Sequence, residues 1–374
     1  MAQITLQFLD VGQGDGIYIE FPNGITMLVD LGNTHGRAKK VTPPDIYKYF
    51  ATYTKFKKKG ETLNYLIITH PDSDHYNMVD GFLATLQPNV EFYTYGGPSG
   101  SYSSPSWMTN VKKAGAKLFT IPSLPTQIKR TGGFGDGVEV WCLAYDTAAT
   151  SKKSAKGWVK NTCSIVLQIV YNKTKIMLTG DATFDTEKAI LTRFQKKDLK
   201  LAYLQSRVLK VAHHGSARTS SCKQWIAAVN PEVVFISSDR SGALDEDEKT
   251  GHRLPQELTL DIIRHNAPNL STEYKAHTYV SSYDPQDYVK YASIDSTLKD
   301  SKPTEPNPYD KDETGWERAW YAISTKEGIF SNLVSIGEGT DADQGCQYEL
   351  TITDKGMIGV ASTATFQDVA MSTD

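Results

Sequence analysis

The chain has 374 residues, 39% of them hydrophobic, enough for one large domain, alone or with an appendage, to bury a substantial core. No window supplies the ~18 uncharged apolar residues of a membrane span, no basic segment leads into an apolar one at the start, and four cysteines without CxxC spacing suit a reducing, cytoplasmic setting. The formal net charge of −3 hides a split: residues 1–230 carry 28 Lys+Arg against 17 Asp+Glu, and residues 231–374 carry 12 against 26. An anionic substrate would be drawn to the first part, unless its lysines merely solvate the surface.

In chain order, "ITLQFL", "GIYIEF" and "ITMLVDLG" predict three strands, the last two joined through "PNG" as a hairpin. A helix is expected within residues 41–59, ending in the basic run "KFKKKG", and "LNYLIIT" reads as a buried strand. Strand-like "VEFYTY", "KLFTIP" and "VEVWCLAY" then alternate with a helix around "WMTNVKKAGA". "SIVLQIVYNKTKIMLTGD" predicts a hairpin with an Asn-Lys turn. A helix starting near Thr183, a strand "RVLKVAHHGS", a helix over "CKQWIAAV", a strand "EVVFISS" and a helix "PQELTLDIIRHNA" follow. Antiparallel strands first and strand–helix alternation later imply a layered α/β body. The Pro-, Asp- and Lys-rich "DSTLKDSKPTEPNPYDKDETG" reads as a linker or long loop. The expected division is one domain over residues 1–290, with a linker plus a small β-rich extension over 291–374.

Three motifs carry chemistry. "ITHPDSDHYNMV" delivers His70, Asp72, Asp74 and His75 at the end of a strand, where Pro71 prevents a helix from continuing through the turn. Imidazole nitrogens and carboxylate oxygens are ligands for divalent cations, and a loop held on strand ends can fan them around such ions. "MLTGDATFDTE" places Asp181 after an apolar strand; beside the first motif a bridging carboxylate is favoured over a helix-capping role. "VLKVAHHGSARTSS" adds His213 and His214. Neighbours on an extended backbone point to opposite sides, so only one of them should face a given cation unless the strand has already ended. The other would be free as a proton donor or substrate contact. Ser216, Thr219 and Ser220, with the amides opening the next helix, could hold an oxyanion or phosphate. His252, in "TGHRLPQEL", precedes a helix, and His35, His265 and His277 are given no role.

Together, "FLDVGQGDGIYIEF" with "MLVDLG", "ITHPDSDHYNMVDGF", "NTCSIVLQIV" with "IMLTGD", "LKVAHHGSARTS" and "TGHRLP" resemble the metallo-β-lactamase superfamily. Within it they resemble the hydrolase domain of the DNA-uptake competence protein ComEC/Rec2, with no counterpart to that protein's membrane-spanning part. The resemblance implies an αββα sandwich, two packed mixed sheets flanked by helices, with a small β-rich C-terminal appendage. It implies metal ligands at His70, Asp72, Asp74, His75, Asp181, His213 and His252, with Asp181 bridging two cations and the His213–His214 pair adding ligands or catalytic contacts. Asp30 would orient a histidine from behind. Asp15 and Gln13 would border the site, although a tight turn explains them equally. Two positions depart from the broader superfamily: Asp72 replaces the second histidine of HxHxDH, and Asn161 stands near a place where a histidine is expected. Exchanging nitrogen for oxygen weakens one metal position and shifts preference from Zn²⁺ toward Mn²⁺ or Mg²⁺.

The expected function is a metal-dependent phosphodiesterase, foremost a DNA nuclease, using two divalent cations (Zn or Mn, with Mg as a further candidate) to activate water against phosphorus. Asp74, Asp181, His213 and His214 would carry catalysis, and Asn161, Ser216, Thr219 and Ser220 would contact the substrate. Lys57–Lys59 and Lys152–Lys160 with Trp158 would follow a phosphate backbone and stack a base, or simply solvate loops. Fold alone does not choose the substrate. The alternatives are a small-molecule metallohydrolase for a cyclic nucleotide, lactone or thioester, and a metal-stabilised binding module without catalysis. A protein partner would dock through the C-terminal extension, and no membrane partner is expected.

Overall fold

The computed structural model describes residues 2–9, 11, 14–33, 43–146, 160–196, 199–217, 219–237, five positions between 259 and 267, 333–336 and 347–363. The first half of the chain forms β1 Gln3–Phe8, β2 Gly16–Glu20, β3 Thr26–Leu31, α1 Pro43–Tyr53, β4 Thr62–Ile68, α2 Val79–Leu86, β5 Asn89–Tyr95, α3 Ser106–Lys113, β6 Lys117–Leu118, β7 Thr126–Gln127 and β8 Val138–Ala144. The second half forms β9 Val166–Tyr171, β10 Thr174–Leu178, α4 Phe184–Phe194, β11 Val208–Lys210, α5 Lys223–Val229, β12 Val233–Ser237, β13 Leu333–Ile336, β14 Gln347–Thr353 and β15 Ile358–Thr363. Among the described residues no helix is long and apolar enough to cross a membrane.

The described strands make two mixed sheets, ordered β15-β14-β1-β2-β3-β4-β5-β6 and β13-β12-β11-β10-β9-β8-β7. Strand alternation sends successive side chains to opposite faces, and here both faces are apolar. Met27, Val29, Tyr65 and Ile67 point between the sheets, where they join Val140, Leu167, Ile169, Ile176, Val208 and Phe235 of the second sheet. Leu28, Leu66 and Ile68, one residue out of phase, point outward to Ile46, Phe50, Val79, Phe82, Trp107 and Val111 on α1–α3. On the far side Val166, Met177, Leu209, Val234 and Ile236 meet Ile190, Phe194, Trp225, Ile226 and Val229 on α4 and α5. The result is the αββα sandwich. Phe8 of β1 stacks on Phe235 of β12 across the middle layer, with centroids 4.0 Å apart and planes 10° apart, a ring pair worth roughly 0.5–1.5 kcal/mol beyond its burial.

The "PNG" hairpin forms between antiparallel β2 and β3, and the Asn-Lys hairpin between β9 and β10, where Asn172 takes φ 54°. Of "KLFTIP" only two residues pair as a strand. "RVLKVAHHGS" pairs as a strand only over Val208–Lys210, because a tight turn over Ala212–Gly215 takes over. The C-terminal strands close one end of each sheet: β14 runs antiparallel to β1 from Gln3↔Thr353 to Phe8↔Tyr348 and carries β15 at the edge, and β13 lies parallel to β12 at the edge of the second sheet. The linker stretch, Gln13, His252 and most of "PQELTLDIIRHNA" lie outside the described residues.

β3, β4 and β5 are mutually parallel, and so are β10, β11 and β12. Each set therefore ends at one edge, and ligand sites of open α/β sheets lie outside such carboxyl ends.

Candidate metal centre

The metal-loop motif sits directly on the first hairpin because two glycines leave room for it. A Cβ on Gly14 would lie 2.7 Å from the Asp74 carbonyl oxygen, and one on Gly32 would lie 2.5 Å from its carbonyl carbon. The Asp15 amide donates to that same Asp74 oxygen at 3.2 Å. A short 3-10 turn, Ser73–His75, then presents Asp74 and His75 beside the strand ends.

Three buried imidazoles turn Nε2 toward Asp181. His75 lies 3.3 Å from Asp181 Oδ1, and His214 and His70 lie 3.6 and 3.7 Å from Oδ2. In each ring Nδ1 is held from behind: by the Asp30 carboxylate at 2.8 Å for His75, by the Ser237 carbonyl at 2.7 Å for His214, and by the Thr69 hydroxyl at 3.0 Å for His70. Such contacts fix ring orientation and tautomer, leaving Nε2 as the outward lone pair. Asp30 also accepts from the Thr69 amide and hydroxyl at 2.7 Å each, and it adopts φ 59°, a strained backbone for a buried aspartate. The Asp181 amide donates to Ser164 Oγ at 3.1 Å.

Two of the three ligand-type clusters among the described residues, His70–His75–Asp181 and Asp74–His75–His214, lie on this face, with Asp181 between the rings. The Nε2 atoms of His70, His75 and His214 and Asp181 Oδ1 are all buried with no protein hydrogen-bond partner. Buried polar atoms are ordinarily paired. Orphans of these types, converging within coordination reach, fit a divalent cation.

The charges agree. Burial alone would raise Asp181, but His75, His214 and His213 outweigh it and hold its carboxyl well below the usual range. Burial likewise opposes ionisation of Asp74, yet His214, with Nε2 3.4 Å from its Oδ2, and the charge of His75 carry it lower. Burial would lower His75, but Asp181 and Asp30 lift it well above its ordinary value. His70, by contrast, is pushed well down by burial and then by His75. Burial brings His213 down to about 4, so it is a neutral imidazole at pH 7. The cluster attracts positive charge while keeping His70 and His213 neutral.

Both histidines of "HHGS" face the centre. With the strand finished at Lys210, His213 and His214 take φ 49° and 52°, followed by Gly215 at 83°. Consecutive left-handed residues abolish the alternation of an extended chain. His213 Nε2 lies 3.7 Å from Asp181 Oδ2 and within 3.3 Å of Asn161 Nδ2, so it stands where Asn161 leaves the histidine position empty. Its Nδ1 is in short contact with the Thr219 hydroxyl. Asp72 is set apart: its Oδ2 is 3.8 Å from His70 Nε2, while Oδ1 pairs with Lys160 at 3.0 Å on the rim. Ser216 is buried, and Ser220 Oγ donates to the Ala212 and Ser216 carbonyls, closing the turn rather than facing the centre. Asp15 is buried behind His75, 3.7 Å from its Nδ1. Lys57–Lys59 precede β4 and so occupy its opposite end, roughly 20 Å from the metal loop at the strand rise of ~3.3 Å per residue. Lys152, Lys153, Lys156 and Trp158 lie outside the described residues.

Sequence reasoning missed Lys210. It is 1% exposed and pairs with Asp15 through a short contact. Its signal was present: a lone lysine inside the apolar run "RVLKVA".

An αββα sandwich with imidazoles and carboxylates gathered at its carboxyl edge defines a fold with a candidate metal centre. The family model described as "Metallo-beta-lactamase superfamily" matches residues 9–235, more than half of the chain, and the chain belongs to that superfamily, whose members are mostly metal-dependent hydrolases. No curated protein matches it. Solved structures similar to it include a mutant of CmlA β-hydroxylase (11% identity, TM-score 0.39), covering 62% of this chain and 45% of that one. Another is a metallo hydrolase from the hyperthermophilic archaeon Ignicoccus hospitalis (11% identity, TM-score 0.37), covering 78% of this chain and 92% of that one. Human tRNase Z, short form, is a third (13% identity, TM-score 0.35), covering 62% and 90%. The chain thus spans less than half the length of the CmlA chain.

Proposed function

We propose that the protein is a metal-dependent phosphodiesterase, and foremost a DNA nuclease. The observation that carries the reading is the convergence of orphaned Nε2 atoms from His70, His75 and His214 on Asp181. When bound, two divalent cations, Zn²⁺ or Mn²⁺ with Mg²⁺ as a third candidate, supply an activated water and balance charge on the phosphoryl group. His75, His214 and Asp74 would hold one cation, His70 and His213 the other, with Asp181 shared between them. Asp30 and the Ser237 carbonyl keep the rings aimed, and Thr219 steadies His213. His213 is the most exposed of the four histidines, with 23% of its side chain open to solvent, so the cation it would help hold lies on the side from which substrate arrives.

Support for a phosphodiester comes from charge at the rim. Lys160 stands beside Asp72 at 3.0 Å, where it would meet an anionic substrate entering the site, and residues 1–230 carry the positive surplus. The combination "DVGQGD", HxDxDH and "HHGS", which resembles the ComEC/Rec2 hydrolase domain, favours DNA over a neutral ester. The test uses chelator-stripped protein with Mn²⁺, Mg²⁺ or Zn²⁺ added back, offered plasmid and single-stranded DNA beside a cyclic nucleotide, a lactone and a thioester. Cation-dependent DNA cleavage is expected. Turnover of a small ester with intact DNA would overturn the assignment.

A further inference from the structure

Lys210 is the only lysine or arginine among the described buried residues. It ends β11 directly beneath the centre. Its Nζ makes a short contact with Asp15 Oδ2 and donates to the Gly180 carbonyl at 3.2 Å. Gly180 precedes Asp181, and its carbonyl also accepts from the His213 amide at 3.1 Å. One ammonium therefore ties together "DVGQGD", "LTGD" and "HHGS", the three segments that surround the metal loop.

Burying an ammonium is expensive, and an apolar residue of similar volume is often at least as stabilising. The surroundings explain the choice. Asp15, Asp30 and His75 place three ligand-type atoms within 4.8 Å of one another, a third cluster with the spacing of a cation site. Asp15 is 1% exposed, and its Oδ1 has no hydrogen-bond partner. Asp30 is already engaged by Thr69 and His75, so without Lys210 it is Asp15 that would be a buried acid competing for the cations that belong on the other face of His75.

We infer that Lys210 is the resident counter-cation of Asp15: its ammonium, held between Asp15 Oδ2 and the Gly180 carbonyl, takes the place a metal ion would take against that carboxylate, confining metal to the Asp181 face. Lys210 is thus a positioning residue, and the inference does not use the phosphodiester reading. The test counts bound Mn²⁺ by magnetic resonance of the free ion in full-length, chelator-stripped protein. Lys210→Met should bind one equivalent more than the parent, and the double variant Asp15→Asn/Lys210→Met should return to the parent number. A folded Lys210→Met with the parent number, or an extra equivalent that persists in the double variant, overturns the inference. Should Lys210→Met fail to fold without cations, Mn²⁺ must restore it and the double variant must fold without them. Failure of either arm also overturns it.

Discussion

On one side of Asp181, His75 and His214 each have Nδ1 fastened to a strong acceptor, the Asp30 carboxylate at 2.8 Å and the Ser237 carbonyl at 2.7 Å. On the other side, His70 leans on a neutral hydroxyl at 3.0 Å, Asp72 is drawn off to Lys160, and Asn161 faces His213 where a further imidazole would complete the set. The first side is rigid and drawn from three chain segments, and its rings are polarised by the groups behind them. The second is looser and more open, with Asp72 and His213 about a quarter exposed. Supporting contacts of this kind set ligand basicity and metal affinity. One cation should therefore bind tightly beside His75 and the other weakly beside His70, the weak position being the one that exchanges with solvent and meets substrate.

Breaking both sides at once should have the largest effect. Asp181→Ala removes the shared carboxylate, and DNA cleavage in Mn²⁺ should fall by roughly a thousandfold or more, since the lost charge stabilisation amounts to several kcal/mol. Plasmid nicking assays alongside circular dichroism check this, and a folded variant with parental cleavage would remove Asp181 from the chemistry. Asp30→Asn attacks the tight side directly and the weak side only through Thr69: it keeps the size of the side chain but weakens its hold on His75, so metal affinity there should drop by about 10–100-fold. Calorimetric titration with Mn²⁺ would show the first binding event weakened far more than the second. Asn161→His sharpens the contrast from the other direction. A new imidazole on the weak side should tighten Zn²⁺ binding by about tenfold, or ~1.4 kcal/mol, without altering the tight event. The smallest effect belongs to Lys160→Gln. Loss of one phosphate contact should raise KM for DNA a few-fold, leave kcat nearly unchanged, and reduce the salt slope of binding by about one. Equal salt slopes for the variant and parent would take Lys160 off the substrate path.

Much of the architecture was legible because its strands are written as apolar runs with clear turns. β4 reads "LNYLII" and is buried almost throughout, as a strand covered on both faces must be. The metal loop was legible because four ligand-type residues fall within one turn. The orientation of His213 and His214 was not, since successive left-handed residues other than glycine have no sequence signature. Lys210 escaped for a related reason: its partner Asp15 is 195 positions away, and a buried ion pair is set by tertiary structure rather than by spacing. The pairing of β14 with β1, whose residues Gln7 and Glu349 are 342 positions apart, is equally invisible to local pattern. It turns C-terminal strands that look separable in sequence into the edge of the first sheet.

The most direct measurement is anomalous scattering from crystals of the full chain grown or soaked with Mn²⁺. Two peaks about 3.5–4 Å apart are expected, the usual spacing of paired catalytic cations. They should flank Asp181, the stronger touching His75, His214 and Asp74 and the weaker touching His70. Manganese bound only elsewhere on the molecule, with the Asp181 carboxylate free of any peak, would contradict a metal centre at this edge of the sandwich.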